Sequence, residues 1–370
     1  MKLPKITIYD RYIFNQVLMA TCVAILLFII VWIAPEMLLN VIKKTLAGDY
    51  SIKTAILILA CELPKILGKA FPAGLLLGTL FTFDKLSKDS ELTIFRAVGL
   101  SFKRILAPVI AVSLIGTYLC FLTSNEWIPF AEDKIDKIKG KVHYTQFIYT
   151  QKDKDGFPTQ TVIVAKSRSK QLYNVTVLDF SKEVYSDVHQ LSNIYYAKTG
   201  EVQDDKWLLY DISRYQITKD GIFENIQKYD KMSVLNKDTA QNAYTLMSYS
   251  TKREREILTK DLKEYVKLLK IEGMDEEYRF MLNKYLQRFF HPFVCILLAI
   301  MGCLLGFSKP REQRVVGFAI AIGCIVVYYI TLPFFDLLAE KGVLHPLITS
   351  IFPLVAFIIA IFAFYKSKEL

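Results

Sequence analysis

The chain has 370 residues, 53% of them hydrophobic, with a mean hydropathy of +0.29 and a formal net charge of +10. That apolar content argues against a simple soluble domain, and because it crowds both ends and thins out in the middle it points to a membrane protein with an inserted water-soluble domain. The basic excess lies beside the apolar runs, so it reports topology and acidic lipid surfaces rather than nucleic-acid binding.

In chain order, the first apolar runs are 17–42, 54–83 and 105–123, each offering close to the ~20 residues that a bilayer requires. The first is too long for a signal-peptide core and no small-residue cleavage site follows, so it is expected to remain as an anchor. The second carries Glu62, Lys65 and Lys69 in its first half and is expected to tilt or to begin outside the hydrocarbon. Lys65 and Lys69 stand at i, i+4. Facing a cavity, they would suit the phosphates of an acidic glycolipid; otherwise they snorkel to ordinary headgroups. Small residues recur as G-x-x-x-G at Gly74/Gly78 and again at Gly302/Gly306. Such pairs let membrane helices approach closely, with packing inside the chain the simpler expectation and a second subunit the other.

Between the second and third runs lies "KLSKDSELTIFRAVGLSFKR", residues 85–104. Ser87, Asp89 and Ser90 are helix-start residues, and Asp89 and Glu91 place negative charge where a helix dipole favours it. Leu92, Phe95 and Val98 form an apolar stripe, and Gly99 is a natural stop. The pattern predicts a surface helix over about 87–99 with Glu91 and Arg96 on its polar edge. Such a helix either transmits a push from a partner or anchors the loop at the interface.

Residues 128–140 read as a helix leaving the membrane. Five alternating runs follow: "QTVIVAKS", "YNVTVLDF", "HQLSNIYYAKT", "KWLLYDISRYQIT" and "IFENIQKYDKMSV". They predict one antiparallel sheet or an open sandwich, whose edges are templates for another β protein. Their aromatic residues suit either an ordinary core or an acyl-chain site. Two helices broken at Gly273, the first with the stripe Leu258, Leu262, Tyr265 and Leu269, return the chain to the membrane. The last three spans are expected at 289–306, 315–338 and 344–364; near the end of the fifth, Asp336 and Glu340 either line a polar cavity or, as the simpler expectation, face the outer surface. The fold class is thus an α-helical membrane protein with six spans (3+3) and an inserted antiparallel β domain. Its parts are 1–127, 128–285 and 286–370.

Lys2, Lys5 and Arg11, the basic residues of 85–104, Lys309, Arg311 and Arg314, and Lys366 and Lys368 all fall on one side if both termini are cytoplasmic. The opposite side has only Lys43, Lys44, Lys53 and Lys341 in its short loops. All six cysteines lie in or beside the spans, without C-x-x-C or zinc spacing, and read as small buried apolar residues. No phosphate loop, G-x-S-x-G or H-E-x-x-H is present, and the four histidines are scattered, so no enzyme or metal site is expected.

The segment "FPAGLLLGTLFTFDKLSKDSELTIFRAVGLS" resembles the second span and coupling helix of the lipopolysaccharide-export permeases, the LptF/LptG family. "YDRYIFNQ", "NEWIPFAEDKIDKIKG", "YVKLLKIEGMDEEYRFMLNKYLQRFFHPF" and "GFSKPREQRVVGFAIAIGCIVVYY" resemble further stretches of the family in order and spacing, and "DRYI" leans toward the LptG member. The resemblance implies an inner-membrane ABC permease that extracts lipopolysaccharide. It implies a second permease, paralogue or self, and a cytoplasmic ATPase dimer that holds the ATP and Mg, leaving no cofactor in this chain. It also implies a periplasmic β-jellyroll that hands the lipid to a bridge of similar jellyrolls. Glu91, Leu92, Phe95, Arg96 and Gly99 would then form the ATPase-coupling helix, and Lys65, Lys69 and Glu36 the lipid contacts. Glu36 departs from relatives that are basic nearby, so it is expected to pair with Lys65 or Lys69 or to favour a less charged lipid. A scaffold that only tethers periplasmic partners, and a permease for another envelope lipid, remain open alternatives.

Overall fold

A computed structural model describes residues 7–33, 37–48, 50–153, 156–168, 170–182, 189–203, 206–218, 223–235, 237–250, 252–307 and 314–367, except for 140–146. Glu36 lies outside the described residues, as do Lys2, Lys5, Lys309, Arg311 and Lys368. The chain divides into a helical unit, 1–138 with 276–370, and a second unit, 139–275.

Among the described residues, six helical stretches are long and apolar enough to cross a membrane: Ile8–Val31, Ile52–Lys88, Phe102–Ile138, Asp275–Gly306, Val316–Glu340 and Pro346–Lys366. Their number is as expected; several boundaries differ. The run 17–42 is divided between α1 (Ile8–Ile33) and α2 (Met37–Leu46). Helix α1 starts early because Asp10 accepts the Thr7 backbone N–H at 2.9 Å, giving the first turn a carboxylate at its positive end.

Helix α3 (Ile52–Lys88) opens on Ser51, whose hydroxyl accepts from the Thr54 amide at 3.2 Å. Its 37 residues make about 55 Å of helix, more than the ~30 Å hydrocarbon core. It is the axis of the bundle. Leu75, Phe83 and Leu86 pack with Ile13 and Val17 of α1, and Leu76 and Leu80 pack with Leu298 and Met301 further along the chain.

After the short α4 (Glu91–Ala97), α5 (Phe102–Leu122) passes through a π-helical turn, Thr123–Trp127, into α6 (Ile128–Lys139). On the return, α9 (Asp275–Phe290) joins α10 (Val294–Gly306) through a 3-10 turn at His291–Phe293, where Pro292 sits near the turn's start. Two spans therefore continue well beyond their apolar runs. Helices α11 (Arg314–Glu340) and α12 (Pro346–Ser367) complete the bundle.

Both G-x-x-x-G pairs pack inside the chain. A Cβ on Gly78 would lie 2.5 Å from Thr21 Cα of α1, and one on Gly74 would collide with Ile25. A Cβ on Gly302 would collide with the Leu76 carbonyl of α3, and one on Gly306 would stand 2.7 Å from the Leu80 carbonyl. Side chains as small as hydrogen let α1 and α10 seat directly on the α3 backbone.

The second unit holds one six-stranded antiparallel sheet in sequential order: β1 (Phe147–Lys152), β2 (Pro158–Arg168), β3 (Gln171–Lys182), β4 (His189–Gln203), β5 (Lys206–Ile217) and β6 (Phe223–Met232). Five strands match the five sequence runs; β1 is additional. Along one row the ladder skips Ala165, Asn174, Lys198, Asp211 and Asp230. Asn174 and Asp211 there have φ of 52° and 55°. On one side of the row Val175, Ala197 and Ile212 are buried; on the other, Leu172, Gly200 and Leu209 are. Each pair is three residues apart with an exposed residue outside the ladder between, so the regular in–out alternation is broken along this crease.

Helix α7 (Lys237–Ser250) is anchored by the Trp207 indole N–H, which donates to the Ala240 carbonyl at 3.1 Å. Helix α8 (Thr259–Ile271) buries Leu262, Tyr265 and Leu269. Leu258, assigned to the same stripe from sequence, instead precedes the helix in extended conformation and is exposed. The break at Gly273 is as expected: φ is +70°, and Met274 N–H reaches the Leu269 carbonyl at 3.0 Å.

Candidate functional site

Helix α4 is seven residues long and lies at the end of the bundle where α1 and α5 begin and α3, α10 and α12 finish. The expected start at 87 is corrected. Residues 87 and 88 complete α3, and Ser87, buried, donates its hydroxyl to the Gly306 carbonyl at 3.1 Å. Ser90 opens α4 with φ of 60° and makes no side-chain cap. Gly99 closes it with φ of 91°. Its N–H bonds the Arg96 carbonyl at 2.9 Å, and Leu100 N–H bonds the Phe95 carbonyl at 3.0 Å. A left-handed residue is needed at both ends, which fixes the direction of so short a helix.

The stripe also differs from its sequence reading. Leu92 is buried in the bundle core and Phe95 packs against its edge, but Val98 is 78% exposed. Seven residues make less than two full turns at 3.6 residues per turn, and Val98, past the last helical residue, falls off the core side. Ile94 and Val98 instead leave an apolar strip facing outward, beside the exposed Ile8 of α1. An open groove of about 480 Å³ runs between them, lined by Ile8, Tyr9, Tyr12, Glu91, Ile94 and Phe95.

The groove's one carboxylate is held. Tyr12 donates its phenol to Glu91 Oε1 at 3.0 Å, and the Tyr9 and Phe95 rings meet at 6.1 Å. Tyr9 also donates to the Arg104 carbonyl at 3.1 Å, while the Arg104 guanidinium pairs with Asp10 at 2.5 Å. The first turn of α1 is thereby tied to α4 and to α5. Arg96 does not join Glu91; its guanidinium lies 5.8 Å above the Phe307 ring, and Phe307 meets Phe102 edge-on at 5.7 Å. The exposed strip of α4 and the groove lie open at this end of the bundle.

At the far end of the bundle the charges in α3 are not free cations. Lys65 Nζ is 2.9 Å from Glu62 Oε2 and in contact with Glu132 Oε1 of α6. Glu132 is 5% exposed. Lys69 is exposed, one turn on, and its carbonyl accepts the Tyr329 phenol at 2.5 Å. The structure therefore brings Lys65 together with Glu62 and Glu132.

A third cluster gathers around Asp336, with partners the sequence reading does not name. Asp336 of α11, for which the outer surface is the simpler expectation and a polar cavity the other, turns inward. Its carboxylate accepts from Asn283 at 2.8 Å and Gln287 at 2.7 Å and pairs with Lys284, all on α9. Thr349 and Ser350 of α12 donate to Asn283 Oδ1 at 2.9 and 2.8 Å. Three spans are thus joined by polar bonds, which apolar surroundings make costly to break. The spacing Asn283, Lys284, Gln287 on one helical face was the available signal, but nothing in it names Asp336 as the partner.

A family model described as "Lipopolysaccharide export system permease LptF/LptG" matches residues 11–367. The "Lipopolysaccharide export system permease protein LptG" of Escherichia coli strain K12 is 23% identical over 374 residues, covering 95% of this chain and 95% of its own. The protein of the same description from Escherichia coli O6:H1 strain CFT073 matches with the same identity and coverage.

Proposed function

Because this chain belongs to the LptF/LptG family of lipopolysaccharide export permeases, we infer that it is a permease subunit of an ATP-driven exporter that takes lipopolysaccharide out of the inner membrane. It works beside a second permease of the same family and above a cytoplasmic ABC ATPase dimer, which binds the ATP and Mg. The β unit lies in the periplasm, where it passes the lipid to a bridge of jellyroll proteins.

The observation that carries this reading is the α4 groove. Bringing a multi-acyl lipid out of a bilayer exposes methylenes at ~0.8 kcal/mol each wherever they meet water. The sequence has no phosphate loop, so the driving energy enters through a docking surface. Helix α4 offers an outward apolar strip and a carboxylate, fixed at both ends by left-handed residues and tied to α1. A push on it reaches α3, α5 and α1 together. Basic residues 85, 88, 103 and 104 beside α4 favour the cytoplasmic side for this end.

Co-purification tests the reading. An ABC ATPase should be retained by the membrane-extracted chain, and Glu91→Ala should weaken its retention or uncouple hydrolysis from lipid release. Full export by that variant would count against the coupling role. Mass spectrometry of the lipid carried by the complex distinguishes lipopolysaccharide from another envelope lipid, and loss of all lipid and ATPase would favour a tethering scaffold.

A further inference from the structure

Lys65 is the cation best placed for an anionic headgroup at the end of the bundle away from α4, yet it is already occupied by two carboxylates. They are not equivalent. Glu62 is an i, i+3 neighbour on the same helix and follows Lys65 wherever α3 goes. Glu132 comes from α6, across the interface, and is almost fully buried. Its charge depends on Lys65, because a buried carboxylate left without its cation is strongly unfavourable.

Two further features surround this pair. Beside it, Cys61 of α3 packs with Ala131 and Ile135 of α6, and Ile138 of α6 packs at the cluster of Ala55 and Ile58 of α3. Just before it, the Thr123–Trp127 π turn separates α6 from α5. Such turns interrupt the regular hydrogen-bond ladder and serve as bending points. Helix α6 is therefore an arm that begins at a bendable turn and lies on α3 through the Lys65–Glu132 ion pair and a row of small apolar contacts.

We propose that Glu132 is an internal competitor for the anionic lipid headgroup at Lys65, and that headgroup binding there releases α6 from α3. This rests on the lipid-export reading above. A phosphate-bearing headgroup offers Lys65 an anion that Glu132 can match only while α6 stays docked. When the ammonium turns to the lipid, Glu132 loses its cation and α6 swings at the π turn to bring the carboxylate to water. Glu132 is in this sense a specificity-determining residue: a weakly charged or zwitterionic lipid does not displace it. Because α6 is the segment through which the chain enters the β unit, occupancy of the headgroup site is reported along the chain in the direction of lipid transfer.

The test uses the full permease–ATPase complex in detergent with rough lipopolysaccharide as the probe. Glu132→Gln, which keeps the shape and removes the charge, should tighten lipopolysaccharide binding about tenfold, the size of one modest ion pair, and Lys65→Ala should weaken it. In an otherwise native chain, Ile135→Cys should form a disulfide with Cys61, followed by mass spectrometry of that peptide pair. Lipopolysaccharide should suppress this crosslink several-fold, and phosphatidylethanolamine should not. Unchanged or weaker binding by Glu132→Gln, or a crosslink indifferent to lipopolysaccharide, would overturn the proposal and leave the export reading standing. Unaltered binding by Lys65→Ala would also overturn it. No lipopolysaccharide binding by the native complex would overturn both.

Discussion

Tyr12, in the second turn of the first span, donates its phenol to Glu91 of α4 at 3.0 Å across 79 residues of chain. The bond ties the acidic edge of a surface helix to a membrane helix that α4 does not adjoin in sequence. Together with Tyr9 on Phe95 and Asp10 on Arg104, it makes the start of α1, α4 and the start of α5 one connected element.

Tyr12→Phe removes that bond and keeps the ring. An exposed bond of this kind contributes about 1 kcal/mol or less to folding, so the melting temperature should hardly move. If α4 carries the coupling, lipid released per ATP hydrolysed should fall while the ATPase remains bound. An unchanged ratio in a reconstituted release assay would remove Tyr12 from the pathway.

Gly302 seats α10 on the α3 backbone, with no room for a methyl beside the Leu76 carbonyl. Gly302→Val should therefore cost about 1–3 kcal/mol, the usual range for overpacking a close interface. Gly323 is the control: nothing lies within 4 Å of its Cβ position, and Gly323→Ala should be neutral or slightly stabilising, since alanine is the better helix former. Thermal unfolding of the two variants in detergent gives the comparison.

Asp336→Ala strips the acceptor from Asn283, Lys284 and Gln287 at once. Leaving a partly buried ammonium and two amides without it should cost about 3 kcal/mol. Asp336→Asn keeps one acceptor oxygen and should cost less. The same melting measurement ranks them, and equal values for the native chain and Asp336→Ala would show the cluster to be energetically idle.

In the β unit, Glu272 accepts the Tyr149 phenol at 2.8 Å, and burial holds its carboxyl above the ordinary range; burial does the same to Asp179. The folded state then binds protons more tightly than the unfolded state. The resulting stability is fully present below the unfolded carboxylate pKa and is lost as pH rises through the folded one. The β unit should be better protected near pH 4 than at pH 7. Glu272→Gln should flatten that dependence and raise protection at pH 7. Hydrogen exchange of β1 and α8 peptides in the full chain, corrected for intrinsic rates, reads it.

The sequence by itself determined the number of spans, the inserted antiparallel sheet and the surface helix between the second and third spans. These are written in local periodicity: apolar runs of bilayer length, alternation in strands, and a glycine where a helix must end. It did not determine β1, a six-residue strand too short to stand out, or the limits of the first, third and fourth spans: helical hydrogen bonding outlasts apolarity after the third and before the fourth, and the first helix stops inside its apolar run. Tertiary structure alone decided that Val98 faces outward, that Asp336 turns into the bundle, that strand alternation breaks at Asn174 and Asp211, and that Lys65 meets Glu132. Each depends on a partner tens or hundreds of residues away, or on the angle of a helix fixed by its neighbours. A one-dimensional pattern records which residues are polar, but only the packed chain decides which of them share a space.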